Sequence, residues 1–85
     1  MQALLAVVGD FDPRNGTHAG TDAALEHAGA THAWVGTELC EGRAAEALAG
    51  FRGVLIAPAS PYRSLRGALD AIRHARERGV PLVGT

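Results

Sequence analysis

Residues 53–85 constrain the fold more than any other part of this sequence, because they spell a strand, a tight connection, a helix and a second strand in direct succession. Gly53-Val54-Leu55-Ile56-Ala57 is a short apolar run with β-branched members, closed by Pro58, which suits a buried strand. Pro58, Ser60 and Pro61 carry turn chemistry that neither regular element continues. From Leu65 the apolar residues Leu65, Ala68, Leu69, Ile72 and Ala75 recur at helical spacing, opposite Arg66, Asp70, Arg73, Arg76 and Glu77. Gly79 supplies a left-handed stop, and Arg76 and Arg78 fall in the last turn, where positive charge suits the helix dipole. Val80-Pro81-Leu82-Val83-Gly84 then begins another strand. A crossover this short makes a right-handed βαβ unit, so its two strands are parallel.

The earlier residues follow the same alternation. Residues 2–9 are apolar on both faces, as a central parallel strand requires. Asp10 to Gly16 is a loop with a proline and an Asn-Gly turn. A helix is expected from Thr17 or His18 to Ala28, with Ala19, Ala23, Leu25 and Ala28 buried and Gly29 as its stop. A second strand centres on Ala33-Trp34-Val35. Thr37 then caps an irregular helical stretch over residues 38–48, which Gly42 interrupts. The pattern predicts an α/β fold of the flavodoxin-like kind: an open parallel sheet in the order 2-1-3-4, with helices on both faces. With 85 residues the chain is near the lower limit for a self-sufficient core, and residues 1–85 read as a single, partial domain. Its last strand, from Val80 to Gly84, is an uncovered edge, liable to pair with another copy.

Charge and cysteine usage remove several classes of function. A net charge of −1 offers no electrostatic case for nucleic acid or an anionic membrane. Every basic residue is arginine, so there is no phosphate-loop lysine and no Schiff-base lysine. The single cysteine, Cys40, precludes an internal disulfide and fits a reducing compartment. Residues 1–8 lack the length and basic flank of a signal peptide, and no apolar run reaches membrane length, so a cytoplasmic address is expected.

In a parallel sheet the chemistry sits outside the carboxyl ends of the strands, which directs attention to the loops there. Gly9 follows the first strand without the further glycines of a dinucleotide fingerprint, and Gly16 has no lysine downstream. Asp10 and Asp12 imitate the acidic pair of a phosphoacceptor domain, but Ala57-Pro58 stands where that domain needs an aspartate. His18, His27, His32 and His74 show no metal-ligand spacing, and neither a metal nor a cofactor is expected. His18 differs from the others in lying at a βα junction, where it either serves the site or caps the helix start. Cys40 is flanked by Glu38 and Glu41, which oppose a thiolate, so it reads as a small half-buried apolar residue rather than a nucleophile. The strongest candidate is the loop of Pro58, Ala59, Ser60, Pro61, Tyr62 and Arg63. It leads into a helix N-terminus whose N–H groups favour an anion or oxyanion, with Ser64 as the cap of an ordinary connection on the alternative reading.

Several stretches together resemble one family. Val8-Gly9-Asp10-Phe11-Asp12, Pro58-Ala59-Ser60-Pro61-Tyr62-Arg63-Ser64, Gly67-Ala68-Leu69, Ala71-Ile72-Arg73 and Pro81-Leu82-Val83-Gly84-Thr85 resemble the class I glutamine amidotransferase region of CTP synthase. The likeness is closer still to stand-alone proteins related to the CTP synthase C-terminal region, some of them selenoproteins. It implies that Ala59 and Ser60 occupy the oxyanion-hole place, where the family's usual pair is Gly-Gly. It also implies that the nucleophile, cysteine or selenocysteine, follows Thr85, with Asp10, His18, Gly84 and Thr85 at the edge of the site. No catalytic residue then lies within the 85, and the distal His and Glu of the triad come later still. The function implied is one half of a domain hydrolysing glutamine or a related amide for pyrimidine nucleotide biosynthesis, inactive by itself. The alternative is a non-catalytic small-ligand or regulatory module of the same fold, which Ala59-Ser60 favours. Recoding of a UGA codon, a frameshift or a deliberate boundary each explains an end at Thr85. A UGA after codon 85 with an open frame beyond it is the outcome expected of recoding, and a UAA or UAG read from the DNA excludes it.

Overall fold

The computed structural model describes residues 5–57 and 62–83. Pro58, Ala59, Ser60, Pro61, Gly84 and Thr85 lie outside the described residues, together with residues 1–4. The chain runs β1 (Leu5–Val8), α1 (Gly16–His27), β2 (His32–Val35), α2 (Thr37–Cys40), α3 (Ala44–Ala47), β3 (Gly53–Ile56), α4 (Leu65–Arg78) and β4 (Leu82–Val83). All pairings are parallel and the strand order is β2-β1-β3-β4, as the alternation predicts. From β1 the chain crosses to β2 on one side and from β2 back to β3 on the other. Right-handed crossovers therefore place α1 on one face and α2, α3 and α4 on the opposite face.

Strand alternation divides the core between these faces. Ala6, Val8, Val35, Val54 and Ile56 meet Cys40, Ala44, Leu48, Ala71 and Ala75 in one buried cluster under the short helices and α4. The opposite face carries Val7, Trp34 and His32 beneath α1. There Asp22 of α1 accepts from Trp34 Nε1 at 2.9 Å and pairs with His32 Nε2 at 2.8 Å. His32 Nδ1 donates to the Ala30 carbonyl at 3.0 Å. Both ring nitrogens thus face acceptors, which raises the His32 pKa through Ala30 and Asp22, while His32 and Trp34 lower that of Asp22.

Three sequence expectations are corrected. α1 begins at Gly16 because Asn15 accepts from the Thr17 and His18 amides, and the residue it buries is His18. Ala19, Ala23 and Ala28 are exposed and Leu25 is half-buried, since a polar bridge rather than an alanine stripe holds α1 to the sheet. The expected interruption at Gly42 is borne out: it separates α2 from α3, and its φ of +71° is the left-handed conformation glycine adopts without strain.

The third correction concerns α4. Ser64 caps it by accepting from the Gly67 amide, and Gly79 ends it at φ 68°, both as expected. The buried face, however, is Gly67, Ala68, Ala71 and Ala75, with Leu65 and Leu69 exposed. The helix is rolled so that its smallest residues meet α2. A Cβ built on Gly67 would lie 1.7 Å from the Thr37 carbonyl oxygen, so only glycine permits this approach. Gly20 of α1, by contrast, faces open space.

Gly67→Ala is expected to destabilise the chain by about 2–3 kcal/mol through overpacking, whereas Gly20→Ala stabilises it by about 0.5–1 kcal/mol through helix propensity. Urea unfolding of both variants measures the opposite signs. The His32–Asp22 bridge adds a pH signature. His32 contributes stability that is present below its unfolded pKa of about 6.5 and is lost as pH rises through its higher folded value. Asp22 contributes stability that is present above about 3.9 and is lost as pH falls through its lower folded value. The Tm difference between the parent chain and Asp22→Asn is therefore largest at about pH 5–6 and shrinks toward pH 9.

Candidate functional site

The carboxyl ends of β1 and β2 and the start of α4 converge on one carboxylate. Asp10 follows β1 directly. Its Oδ1 accepts from the Thr37 amide at 3.0 Å, and its Oδ2 accepts from the Thr37 hydroxyl at 2.7 Å and from the Arg63 amide at 2.8 Å. Thr37 opens α2 just beyond β2 and is fully buried. Its hydroxyl oxygen, having donated to Asp10, accepts from the Ser64 amide at 2.9 Å. The Ser64 hydroxyl donates to Glu41 and accepts from the Gly67 amide, which ties the first turn of α4 to the far end of α2. Burial pushes the Asp10 carboxyl up, but the donors from Arg63 and Thr37 outweigh it and hold the group below the ordinary carboxylate range.

The sequence expectation of an anion at the α4 N-terminus takes an unexpected form here. The anion met just ahead of this turn, by the Arg63 amide, is the protein's own Asp10. The amides of Arg63, Ser64 and Gly67 are consumed by Asp10, Thr37 and the Ser64 side chain. Thr37 is not the helix cap expected from sequence; Gly36 holds that position, and the Thr37 side chain joins Asp10 to α4 instead. No local pattern marks this role, which depends on a partner 27 positions away.

Beside Asp10 lies a cleft of about 280 Å³ lined by Gly9, Asp10, Phe11, Trp34, Gly36 and Arg63. A Cβ on Gly9 would sit 2.7 Å from that of Ala57, so the floor of the cleft is backbone. The Arg63 side chain is largely exposed and stands 3.9 Å from Glu38. Tyr62 turns the other way. Its hydroxyl donates to the Ala57 carbonyl at 2.7 Å and clasps the two ends of the loop that holds Pro58, Ala59, Ser60 and Pro61.

His18 is buried behind the cleft rather than lining it. Its Nδ1 accepts from the Asp12 amide at 3.1 Å, and its ring packs with Phe11 and Trp34 at centroid distances of 6.3 and 5.4 Å. Cys40 is fully enclosed in the core, and burial, then Asp70 and Asp10, push its thiol pKa up. It has neither the access nor the thiolate character of a nucleophile. Among the described residues no group of His, Cys, Asp and Glu has the arrangement to hold a metal ion. Nor is any described helix long and apolar enough to cross a membrane.

An open parallel sheet with its polar cleft at the carboxyl edge defines an α/β domain of the doubly wound class. Within that class the chain is similar to CTP synthases. It is 36% identical over 87 residues to the CTP synthase of Desulfitobacterium hafniense strain Y51, a match covering 94% of this chain. It is 36% identical over 88 residues to that of Saccharopolyspora erythraea, covering 94%, and 30% identical over 89 residues to that of Paracoccus denitrificans, covering 98%. The aligned part is 16% of each of these relatives. No family model matches the chain, and no solved structure matches it significantly.

Removing the carboxylate tests the assembled edge. Asp10→Ala leaves the Thr37 and Arg63 amides without their acceptor and is expected to cost about 1–3 kcal/mol. Hydrogen exchange should show both amides opening faster while those of α1 keep their protection. Unchanged protection at Thr37 and Arg63 contradicts the geometry.

Proposed function

We propose that these 85 residues form the amino-terminal half of a glutamine-amidotransferase-like domain related to that of CTP synthase. The observation that carries this reading is the similarity to CTP synthases across 94–98% of the chain. The parallel order β2-β1-β3-β4 is the framework such a domain needs. On this reading the substrate is glutamine or a related amide. A nucleophile attacks the amide carbon, the C–N bond breaks, ammonia leaves after protonation, and water then hydrolyses the acyl intermediate. The stretch of Pro58, Ala59, Ser60, Pro61, Tyr62 and Arg63 flanks the developing oxyanion, and the ammonia serves pyrimidine nucleotide synthesis.

The nucleophile, the histidine and the glutamate of the triad are supplied from beyond these residues. Within them Cys40 is enclosed and His18 is engaged through Nδ1. The alternative, a non-catalytic ligand-binding or regulatory module of the same fold, is not favoured by the similarity to CTP synthases.

Two measurements separate these readings. The purified 85-residue chain should release no ammonia from glutamine above background. The longest product of the same locus should be trapped covalently by an electrophilic glutamine analogue, with the adduct mapped by mass spectrometry outside residues 1–85. Ammonia release by the short chain overturns the assignment of the nucleophile. A long product that resists trapping but binds a small ligand reversibly establishes the regulatory module instead.

A further inference from the structure

We propose that the β2 edge is a self-pairing surface, through which two copies of this chain join antiparallel about a two-fold axis at Ala33. Among the described strands β2 stands at the end of the sheet and pairs on one side only, with β1. The Thr31 and Val35 carbonyls accept from the Leu5 and Gly9 amides on that side. Strand alternation therefore turns the backbone groups of His32 and Trp34 outward. Antiparallel pairing centred on Ala33 sets His32 of each copy opposite Trp34 of the other, and the two reciprocal pairs form four N–H···O=C bonds. The residue on the axis is then Ala33, in the non-hydrogen-bonded position between the two reciprocal pairs. The strand is presented in a fixed pose, because Asp22 holds both the His32 and the Trp34 side chains from the α1 face.

The flank of this edge is built for a copy of itself. Ala33, Val35, Leu39, Ala47 and Phe51 line an apolar hollow of about 410 Å³ beside the strand, with Arg43 and Glu46 also on its lining. Leu39 is 58% exposed. A two-fold interface needs a patch complementary to itself, and one positive and one negative residue three positions apart meet that need. A two-fold axis perpendicular to the sheet keeps both hollows on the same face and brings Arg43 of each copy toward Glu46 of the other. An unrelated partner has no such reason to match both signs.

Sedimentation equilibrium of the 85-residue chain tests the proposal. The parent chain should dimerise with rising concentration, and the His32 and Trp34 amides should become protected from exchange in step with the dimer. Arg43→Glu and Glu46→Arg should each weaken dimerisation about tenfold or more, and the double swap should restore it to within about threefold. Leu39→Glu supplies an independent disruption at an exposed position. A chain that stays monomeric to about millimolar concentration overturns the proposal. So does a dimer indifferent to single charge reversal, or one dissolved by Val83→Lys, which assigns pairing to β4.

Discussion

The carboxylate of Asp10 is the constraint on which the functional edge depends. One side chain takes the Thr37 amide, the Thr37 hydroxyl and the Arg63 amide, and so joins the ends of two strands to the start of the longest helix. An ionised carboxylate satisfied in this way resists displacement, because each donor would lose a charge-assisted partner. The chain Asp10–Thr37–Ser64–Glu41 then fixes α2 against α4. The contact of Gly67 with Thr37 becomes possible only once that position is set. The seating of α4 on α2 and the wall of the cleft therefore both depend on Asp10.

This arrangement bears directly on how the edge works. In a doubly wound fold the helix N-terminus after a strand is the usual place for a ligand anion. Here the Arg63, Ser64 and Gly67 amides at the entry to α4 are already engaged, by Asp10, Thr37 and the Ser64 hydroxyl. Tyr62 itself donates its hydroxyl to the Ala57 carbonyl. The edge is thus a hydrogen-bonded frame at the carboxyl ends of β1 and β2.

Much of this was legible in the residues, and the exceptions share a cause. The β-branched runs and the positions of Gly29, Gly42 and Gly79 set the elements and their parallel order, because those signals are local. The buried face of α4 was misread, since hydrophobic periodicity weights Leu65 and Leu69 above Gly67 and Ala71. Close approach to α2 reverses that ranking, and it is a tertiary fact. Asp22 gave no hint of its bond to two side chains of β2, and Thr37 looked like a cap. His18 was singled out for its place at a βα junction, yet it supports the cleft from behind through Asp12, Phe11 and Trp34. Side chains that act through distant partners leave no periodic trace.

A direct measurement of the central claim is a carbon-detected NMR titration of the Asp10 carboxyl, read alongside the amide shifts of Thr37 and Arg63. The account predicts a midpoint below the ordinary aspartate value of about 3.9, with both amides moving at that same midpoint. An Asp10 that titrates at or above the ordinary value while the two amides stay unmoved would contradict it.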